Sequence, residues 1–309
     1  MSDVRDIFVR ELTLAAEQDE RISAVINDSL SSSRLAEFAA RHPSRLYNVG
    51  IAEQNLVGFA AGLAAAGQHP WVCSATCFLS YRALEQIKND VVYSRHNVKL
   101  VGNTTGLDYG PLGATHHALE DLGTLRALPN FPIVIPADHK ETEEAMRALL
   151  NYDGPAYLRL YRTKVPEDLQ MPGQFELGKV RVLNQGEDCV IFACGAMVVR
   201  ALEAAALLAQ QGIQAGVVNV STLSPLDVDG LVQAASSAKV AVTVEEHSIH
   251  GGLGDAVSAA LAAHHPVRVL RIGLTKFSVP GGAEQLRERY GLTAKGIAQR
   301  TQDFLKANS

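Results

Sequence analysis

Short β-branched apolar runs alternate with helical stretches along this chain, and this alternation constrains the fold more than any other feature. The strand-like runs include residues 22–26, 98–102 and 156–160, while residues 4–18 have the one-sided apolar spacing of an amphipathic helix. Strands that alternate with helices pair in parallel, since each helix carries the chain back across the sheet. The sequence therefore predicts an α/β fold of mainly parallel sheets covered by helices, with ligands at the carboxyl ends of the strands.

A change of composition predicts two domains. The stretch 163–188 contains two prolines and three glycines and has little periodicity, which is typical of an inter-domain connection. The total of 309 residues also favours two domains, at about 150 residues each. We expect a first domain over residues 1–165, a linker over 166–186 and a second, smaller α/β domain over 187–309.

Composition and charge exclude several classes of protein. Lysine and arginine total 28 against 33 acidic residues, a net charge of −5, which argues against nucleic-acid binding. No apolar run approaches the ~18 residues of a membrane span, and the acidic N-terminus is unlike a signal peptide. The cysteines lack the spacing of a metal site, so we expect no metal site in this chain and a reducing, cytoplasmic location.

One acidic residue interrupts an otherwise apolar and Ala/Gly-rich stretch. Glu53 lies in the segment YNVGIAEQNLVGFAAGLA, residues 47–64, where a strand-like run gives way to a helix. Buried carboxyls at such junctions are candidates for proton chemistry. An acid in the first turn of a helix is also favoured simply by the helix dipole. The residues alone leave both interpretations open.

Several motifs in register resemble the transketolase family of thiamine-diphosphate enzymes. They are NVGIAEQNLVGFAAGLA at 48–64, CFLSYRALEQIKNDV at 77–91, GATHHALEDLGTLRALPNFPIVIPAD at 113–138 and TVEEHSIHGGLGDAV at 243–257. The first three resemble the pyrimidine-binding domain of the family and the fourth its C-terminal domain. Together they cover nearly the whole chain.

The resemblance implies a cofactor site. In this family a glutamate hydrogen-bonds N1′ of the aminopyrimidine of thiamine diphosphate, which promotes loss of the proton from C2 of the thiazolium. Glu53 has the position of that glutamate. The resemblance also implies that Phe78 stacks on the pyrimidine, that Tyr81 lies one turn further along, and that Ile51 forms an apolar wall.

The resemblance also implies substrate contacts. His116 matches the family's Thr-His, where the imidazole faces the reacting carbonyl and can donate a hydrogen bond or move a proton. Ser33 and Arg162 match positions that hold the sugar phosphate, with Ser31 and Ser32 as rivals of Ser33.

Two positions depart from the family pattern. Thr104 replaces a histidine, and Leu112 replaces the aspartate that meets a sugar hydroxyl. A leucine cannot accept that hydrogen bond, and an unpaired buried hydroxyl costs about 1–3 kcal/mol. We therefore expect an atypical sugar, branched or sulfonated, in place of an ordinary pentose phosphate.

The Gly-Asp-Gly motif that binds the diphosphate and its Mg²⁺ in this family does not occur in the sequence. The chain resembles the C-terminal subunit of a split transketolase. The resemblance implies an N-terminal partner subunit that carries the diphosphate-binding domain, holds most of the ligands of Mg²⁺ (or Ca²⁺), and completes an α₂β₂ assembly. We expect a transferase of ketol groups that is active only with this partner.

Three alternative functions stay open. The β subunit of a 2-oxoacid dehydrogenase shares the architecture and the glutamate. A 1-deoxyxylulose-5-phosphate synthase-like subunit is favoured by the wording NVGIAEQ at 48–54. A catalytically inactive scaffolding subunit is the alternative from another class, and it predicts that Glu53→Ala changes nothing measurable.

Overall fold

The structure, a computed structural model, describes residues 3–166 and 171–307. Its helices are α1 (Val4–Gln18), α2 (Ala36–Arg41), α3 (Glu53–Ala65), α4 (Thr76–Arg82), α5 (Leu84–Gln86), α6 (Asp121–Arg126), α7 (His139–Asn151), α8 (Met197–Ala209), α9 (Val228–Ala235), α10 (Leu253–His264), α11 (Ala283–Arg289) and α12 (Ala294–Lys306). Its strands are β1 (Ile22–Ile26), β2 (Leu46–Asn48), β3 (His69–Ala75), β4 (Lys99–Asn103), β5 (Ile133–Val134), β6 (Ala156–Leu160), β7 (Arg181–Asn184), β8 (Cys189–Ala193), β9 (Ala215–Asn219), β10 (Thr222–Ser224), β11 (Val240–Ser248) and β12 (Arg268–Leu274). Single turns of 3₁₀-helix cover Pro43–Arg45 and Gly110–Thr115, and a π-helix covers Ile87–Tyr93.

The strands form two mainly parallel sheets, which confirms the predicted fold class. The first sheet has the order β10-β5-β6-β4-β3-β1-β2 and the second has the order β12-β11-β8-β9-β7. Only the edge strands β10 and β7 run antiparallel to their neighbours in the described part of the chain. The parallel strands β1, β4, β6, β8 and β9 are buried along their whole length, because helices cover both faces of each sheet.

The two sheets do not follow the predicted domain boundaries strictly. Strand β10 belongs to the second half of the sequence but pairs with β5 of the first sheet. Strand β7 lies inside the predicted linker 166–186 and pairs with β9 of the second sheet. Residues 167–170 of that linker lie outside the described residues. The boundaries 1–165 and 187–309 therefore stay a proposal.

Local chemistry fixes the first helix that the sequence predicts. The Asp3 carboxylate caps α1 by accepting a hydrogen bond of 3.0 Å from the backbone N–H of Arg5. Phe8 and Leu12, one turn apart, are completely buried on the side of α1 that faces the sheet. The core of the first domain thereby holds the amino-terminal helix in place.

Within the described residues, no helix combines the length and apolar character needed to cross a bilayer. The thiols of Cys73, Cys77, Cys189 and Cys194 are all buried and unbridged.

Candidate active site

The carboxyl ends of three neighbouring strands of the first sheet converge on Glu53. Asn27 follows β1, α4 begins directly after β3, and Asn103 ends β4. These strands are parallel neighbours in the order β4-β3-β1, so their carboxyl ends meet at one edge of the sheet. Helix α3 begins at Glu53 on the same edge.

The Glu53 carboxylate is buried and held by two side chains. It is 2% exposed. Its Oε1 accepts a hydrogen bond of 3.0 Å from the Asn27 amide, and its Oε2 accepts one of 2.8 Å from the Arg82 guanidinium. Because Glu53 lies in the first turn of α3, the helix dipole also favours its negative charge. The surroundings of Glu53 are therefore polar on the carboxylate side, although the sequence around it is apolar.

The guanidinium of Arg82 covers both Glu53 and Phe78. Its Cζ lies 4.6 Å from the centroid of the Phe78 ring, a cation–π distance. The Arg82 side chain is 53% exposed, so solvent reaches it and no packing locks it in place. A planar group with N–H donors thus hydrogen-bonds the carboxylate and lies over the aromatic face at once.

The His116 ring also contacts Phe78. The two rings meet edge to face, with centroids 5.2 Å apart and an interplanar angle of 73°. The Thr115 hydroxyl lies 2.9 Å from Nδ1 of His116. The same hydroxyl also donates a hydrogen bond of 3.4 Å to the Leu112 carbonyl, so its contact with Nδ1 orients the imidazole without fixing which ring nitrogen carries the proton.

Tyr109 links His116 to Arg162. The Tyr109 ring lies edge to face with His116 at 5.6 Å, and the exposed Arg162 guanidinium lies over it at 5.7 Å. A continuous set of contacts therefore crosses this edge of the sheet. We call it the site row; its members are Glu53, Arg82, Phe78, His116, Tyr109 and Arg162.

Tyr81 and Ile51, both predicted cofactor contacts, are exposed side chains outside the site row. The Tyr81 hydroxyl donates a hydrogen bond of 2.6 Å to Glu120, and burial together with this carboxylate raises the pKa of Tyr81 well above its ordinary value. Ile51 is 77% exposed and Leu112 is 51% exposed. The proposed apolar wall thus has no covering group within the described residues, and the roles of Tyr81 and Ile51 stay predictions.

Ser33 lies apart from the site row, in the interior. It has no exposed surface, and its hydroxyl contacts Ser29 Oγ at 3.3 Å and Asn103 Nδ2 at 3.2 Å. Ser31 and Ser32 are exposed. The predicted phosphate contacts, Ser33 and Arg162, are therefore different in kind, because only Arg162 lies on an open surface of this chain.

Several buried polar atoms near the strand ends have no hydrogen-bond partner among the described residues. They include Asn27 Oδ1, Asn103 Oδ1, Thr104 Oγ1 and His117 Nδ1. Thr104 also has φ of 63°, a left-handed conformation that costs a β-branched residue energy. Buried polar atoms without a partner, beside a strained residue at the end of a strand, are what a polar ligand could satisfy.

Sequence reasoning missed three members of this arrangement. Asn27 and Arg82 hold Glu53, and Tyr109 joins His116 to Arg162. Asn27 had a usable signal, because it directly follows a predicted strand. Arg82 is separated from Glu53 by 29 residues, so no local pattern connects them.

The described residues contain no group of three or more His, Cys, Asp or Glu side chains placed to hold a metal ion.

Comparison with known families assigns both halves of the chain. Residues 1–167 match the family described as transketolase, pyrimidine binding domain. Residues 178–297 match the family described as transketolase, C-terminal domain.

Curated relatives include two kinds of transketolase subunit. The chain is 40% identical over 304 residues to a subunit of the apulose-4-phosphate transketolase of Phocaeicola vulgatus, covering 98% of this chain and 97% of that protein. It is 38% identical over 297 residues to a 6-deoxy-6-sulfo-D-fructose transketolase subunit of a Clostridium species, covering 96% and 92%. It is also 41% identical over 304 residues to 1-deoxy-D-xylulose-5-phosphate synthase of Syntrophotalea carbinolica, but spans only 48% of that protein.

Solved structures give the same fold over the whole chain. A structure described as a split gene transketolase, inactive beta4 tetramer, superposes with a TM-score of 0.91 at 36% identity and covers 100% of both chains. A transketolase from Pichia stipitis superposes with a TM-score of 0.82 at 23% identity over 99% of this chain and 46% of its own, which shows the shared fold.

Proposed function

Because the chain belongs to the transketolase family, we propose that it is one subunit of a thiamine-diphosphate-dependent transketolase. In this proposal it supplies the pyrimidine-binding half of the active site and acts with a partner subunit. The complex transfers a two-carbon ketol unit between sugar phosphates or related anionic sugars. The observation that carries the proposal is the buried Glu53 carboxylate, whose partner Arg82 also lies over the face of Phe78.

The residues around Glu53 fit the aminopyrimidine ring of the cofactor. The guanidinium of Arg82 is planar, donates N–H groups to the Glu53 carboxylate and covers the Phe78 ring. An aminopyrimidine is also planar, and its N1′ can share a proton with a carboxylate while its face stacks on an aromatic ring. The chain's own side chain thus stands in for the ligand that the site is proposed to take.

The residues of the site row have separate roles in this proposal. Bound thiamine diphosphate supplies an acidic thiazolium carbon and an electron sink for breaking the bond beside a ketol carbonyl. Glu53 holds a proton between its carboxylate and N1′, and Asn27 keeps the carboxylate oriented. Phe78 fixes the plane of the pyrimidine. His116 donates a hydrogen bond to the substrate oxygen as negative charge develops there, and Arg162 binds the anionic end of the sugar.

The partner is proposed to be an N-terminal transketolase subunit in an α₂β₂ assembly. It would carry the diphosphate-binding domain and hold the Mg²⁺ (or Ca²⁺). Support comes from the relatives named as subunits and from the apolar side chains Ile51 and Leu112, which are exposed beside the site row. A partner that covers these two side chains would remove their apolar surface from water.

The proposed substrate is an atypical anionic sugar. Leu112, half-exposed beside the site row, offers no hydrogen-bond acceptor to a sugar hydroxyl. Two relatives are named for apulose 4-phosphate and for 6-deoxy-6-sulfo-D-fructose, and the second name specifies a sulfonated sugar. Both substrates carry an anionic group that an exposed arginine such as Arg162 can bind.

Calorimetry tests this function. Thiamine diphosphate is titrated with Mg²⁺ into the chain alone, into the partner alone and into their mixture. We expect binding only in the mixture, followed by ketol transfer in a screen of donor and acceptor sugars. Synthesis of 1-deoxyxylulose 5-phosphate from pyruvate and glyceraldehyde 3-phosphate would instead favour the synthase, whose relatives this chain matches over about half their length. Absence of binding in every case would favour the scaffolding alternative.

A further inference from the structure

The loop that carries His116 is anchored in the second domain. It runs from the end of β4 at Asn103 to the start of α6 at Asp121. Leu107 and Leu119, near its two ends, are buried in the apolar cluster formed mainly by β8, α8, β11 and α12 of the second domain. The loop therefore belongs to the first domain in sequence and to the second in packing.

A buried ionic cluster joins the same loop to the second domain. Arg287 on α11 donates hydrogen bonds of 2.6 Å to Asp108 and of 2.5 and 2.9 Å to the two carboxylate oxygens of Glu246 on β11. Glu246 also accepts one of 2.7 Å from the backbone N–H of Leu107. We call Asp108, Glu246 and Arg287 the clamp.

The backbone of the loop approaches the second domain too closely for side chains. A Cβ on Gly106 would lie 2.3 Å from Glu246 Oε1, and one on Gly113 would lie 2.9 Å from Pro280. Both glycines have positive φ, of 59° and 71°. The N–H of Gly281 donates a 3.2 Å hydrogen bond to the carbonyl of Gly110. These contacts set the path of the loop between Gly106 and Gly113.

The clamp also reaches the other proposed substrate contact. Asp108 accepts hydrogen bonds from the backbone N–H of Arg162 and, at 3.1 Å, from the hydroxyl of Thr163. The adjacent Tyr109 contacts both His116 and Arg162. The Asp108 carboxylate of the first domain is thus fixed by Arg287 of the second domain. It supports the two members of the site row proposed to contact substrate, Arg162 directly and His116 through Tyr109.

Glu53 and Phe78, the members of the site row proposed to contact the cofactor, are held differently. Glu53 begins α3 and Phe78 lies on α4, and both helices pack on the first sheet. None of the hydrogen bonds of the clamp reaches either helix in the described part of the chain. The loop still contacts α4, because His116 meets Phe78 and Glu120 meets Tyr81. A change in the clamp should therefore move the substrate side of the site more than the cofactor side.

We propose that Arg287 is a positioning residue, which acts through Asp108 and Glu246 to place His116 and Arg162 against the substrate. This gives the second domain a role in catalysis, and it rests on the proposed transketolase function. The residues that touch substrate lie in the first domain, whereas the group that fixes their geometry lies in the second.

The electrostatics of the clamp support a fixed geometry. Burial raises the pKa of Asp108, while Arg287 overcomes the effect of burial on Glu246 and holds the pKa of that carboxyl below its ordinary value. The buried Arg287 guanidinium supplies a positive charge to two buried carboxylates, and its planar set of N–H donors hydrogen-bonds both of them. A lysine keeps the charge but cannot reproduce this planar set of donors.

Hydrogen exchange on the full chain without its partner tests whether the clamp holds the loop. Arg287→Lys should increase amide exchange over residues 106–117, including the N–H of Leu107, and leave α3 unchanged. Arg147→Lys is the control, because Arg147 is an exposed arginine paired with Glu143 on α7. If Arg287→Lys and Asp108→Asn both leave the exchange of the loop unchanged, the proposal is wrong.

Kinetics of the two-subunit complex test the consequence. Arg287→Lys should lower kcat/KM for the sugars between about tenfold and about 100-fold, since small displacements of positioned groups have effects of this size. The Kd of thiamine diphosphate should stay within about twofold of the wild-type value. A parallel loss of cofactor affinity would show general destabilisation and overturn the proposal. Failure of the wild-type complex to transfer ketol units would refute the proposed function. The hydrogen-exchange result would still show whether the clamp holds the loop.

Discussion

Two buried carboxylates of this molecule pair with arginine in opposite ways. Glu53 pairs with Arg82, whose side chain is 53% exposed, whereas Glu246 pairs with Arg287, which is 2% exposed and also binds Asp108. The first pair is open to solvent on one side and can be exchanged for another donor. The second is buried, apart from one further bond from Arg287 to the exposed Glu284, and it fixes a backbone path. The same pair of functional groups is therefore used once to receive a ligand and once to hold a geometry.

The strongest expected effect is on activity, through the carboxylate of the open pair. Glu53→Gln keeps the size of the side chain but removes its ability to hold a proton at the cofactor ring. We expect kcat of the two-subunit complex to fall between about 10²- and 10⁴-fold. Glu53→Ala should abolish activity and leave folding nearly intact.

Circular dichroism and urea unfolding of both Glu53 variants check that the fold is retained. Glu143→Gln, at an exposed ion pair on α7, is the matched control and should keep full activity. Full activity of Glu53→Ala would support the scaffolding alternative and remove the proposed role of the open pair.

The buried pair of Glu246 and Arg287, the closed pair, should have the larger effect on the free energy of unfolding. Arg287→Met leaves Asp108 and Glu246 buried without their counter-charge, and breaking a buried pair in this way costs about 3–5 kcal/mol of the free energy of unfolding. Arg82→Met should cost about 1 kcal/mol or less, because water can reach Glu53 once the exposed guanidinium is gone. Urea unfolding of the full chain measures both values. Equal losses for the two variants would contradict the distinction between an open and a closed pair.

Local patterns predicted the elements of the fold better than their pairing. The periodicity of residues 4–18 and the apolar run at 156–160 coincide with α1 and β6. The run 131–137 predicts a longer strand than β5, whose two residues lie between Pro132 and Pro136, and proline has no N–H for a sheet hydrogen bond. The sequence over 79–93 likewise predicts a single helix, but the structure divides this stretch among α4, α5 and a π-helix.

The residues of the site show the same contrast between what the sequence predicts and what only the fold brings together. The family resemblance identified Glu53, Phe78 and His116, which the fold brings into one row of contacts. It did not identify Arg82 or Arg287, because the partners of an ion pair that are 29 or 41 residues apart share no periodicity. Only the topology of the sheets brings such partners together.

A smaller effect should appear in substrate preference, at the loop that the clamp holds. Leu112→Asp restores a hydrogen-bond acceptor beside the site row. We expect kcat/KM for an ordinary pentose phosphate to rise about tenfold relative to the natural sugar, because one hydrogen bond to a sugar hydroxyl is worth about 1–1.5 kcal/mol. Leu112→Ala is the control that removes the leucine without adding an acceptor. A similar shift for both variants would mean that size, and not hydrogen bonding, sets the preference.

The smallest expected effect tests whether the open pair must give way to the cofactor. If the pyrimidine takes the place of the Arg82 guanidinium, binding must first break the Glu53–Arg82 contact and the contact of Arg82 with Phe78. An ion pair with one exposed partner contributes up to about 1 kcal/mol, so Arg82→Met should tighten the Kd of thiamine diphosphate in the complex by about fivefold.

Calorimetry of the mixed subunits measures that Kd, with Arg147→Met as the control at an exposed pair on α7. Tighter binding by Arg82→Met alone would identify the guanidinium as a displaceable occupant of the pyrimidine position. Weaker binding would instead make Arg82 a contact of the bound cofactor, and the open pair would then hold geometry as the clamp does. Arg82→Met and Arg287→Met both remove a cation from a buried carboxylate. The direction in which Arg82→Met changes the Kd of thiamine diphosphate therefore shows whether exposure of the arginine distinguishes the two pairs.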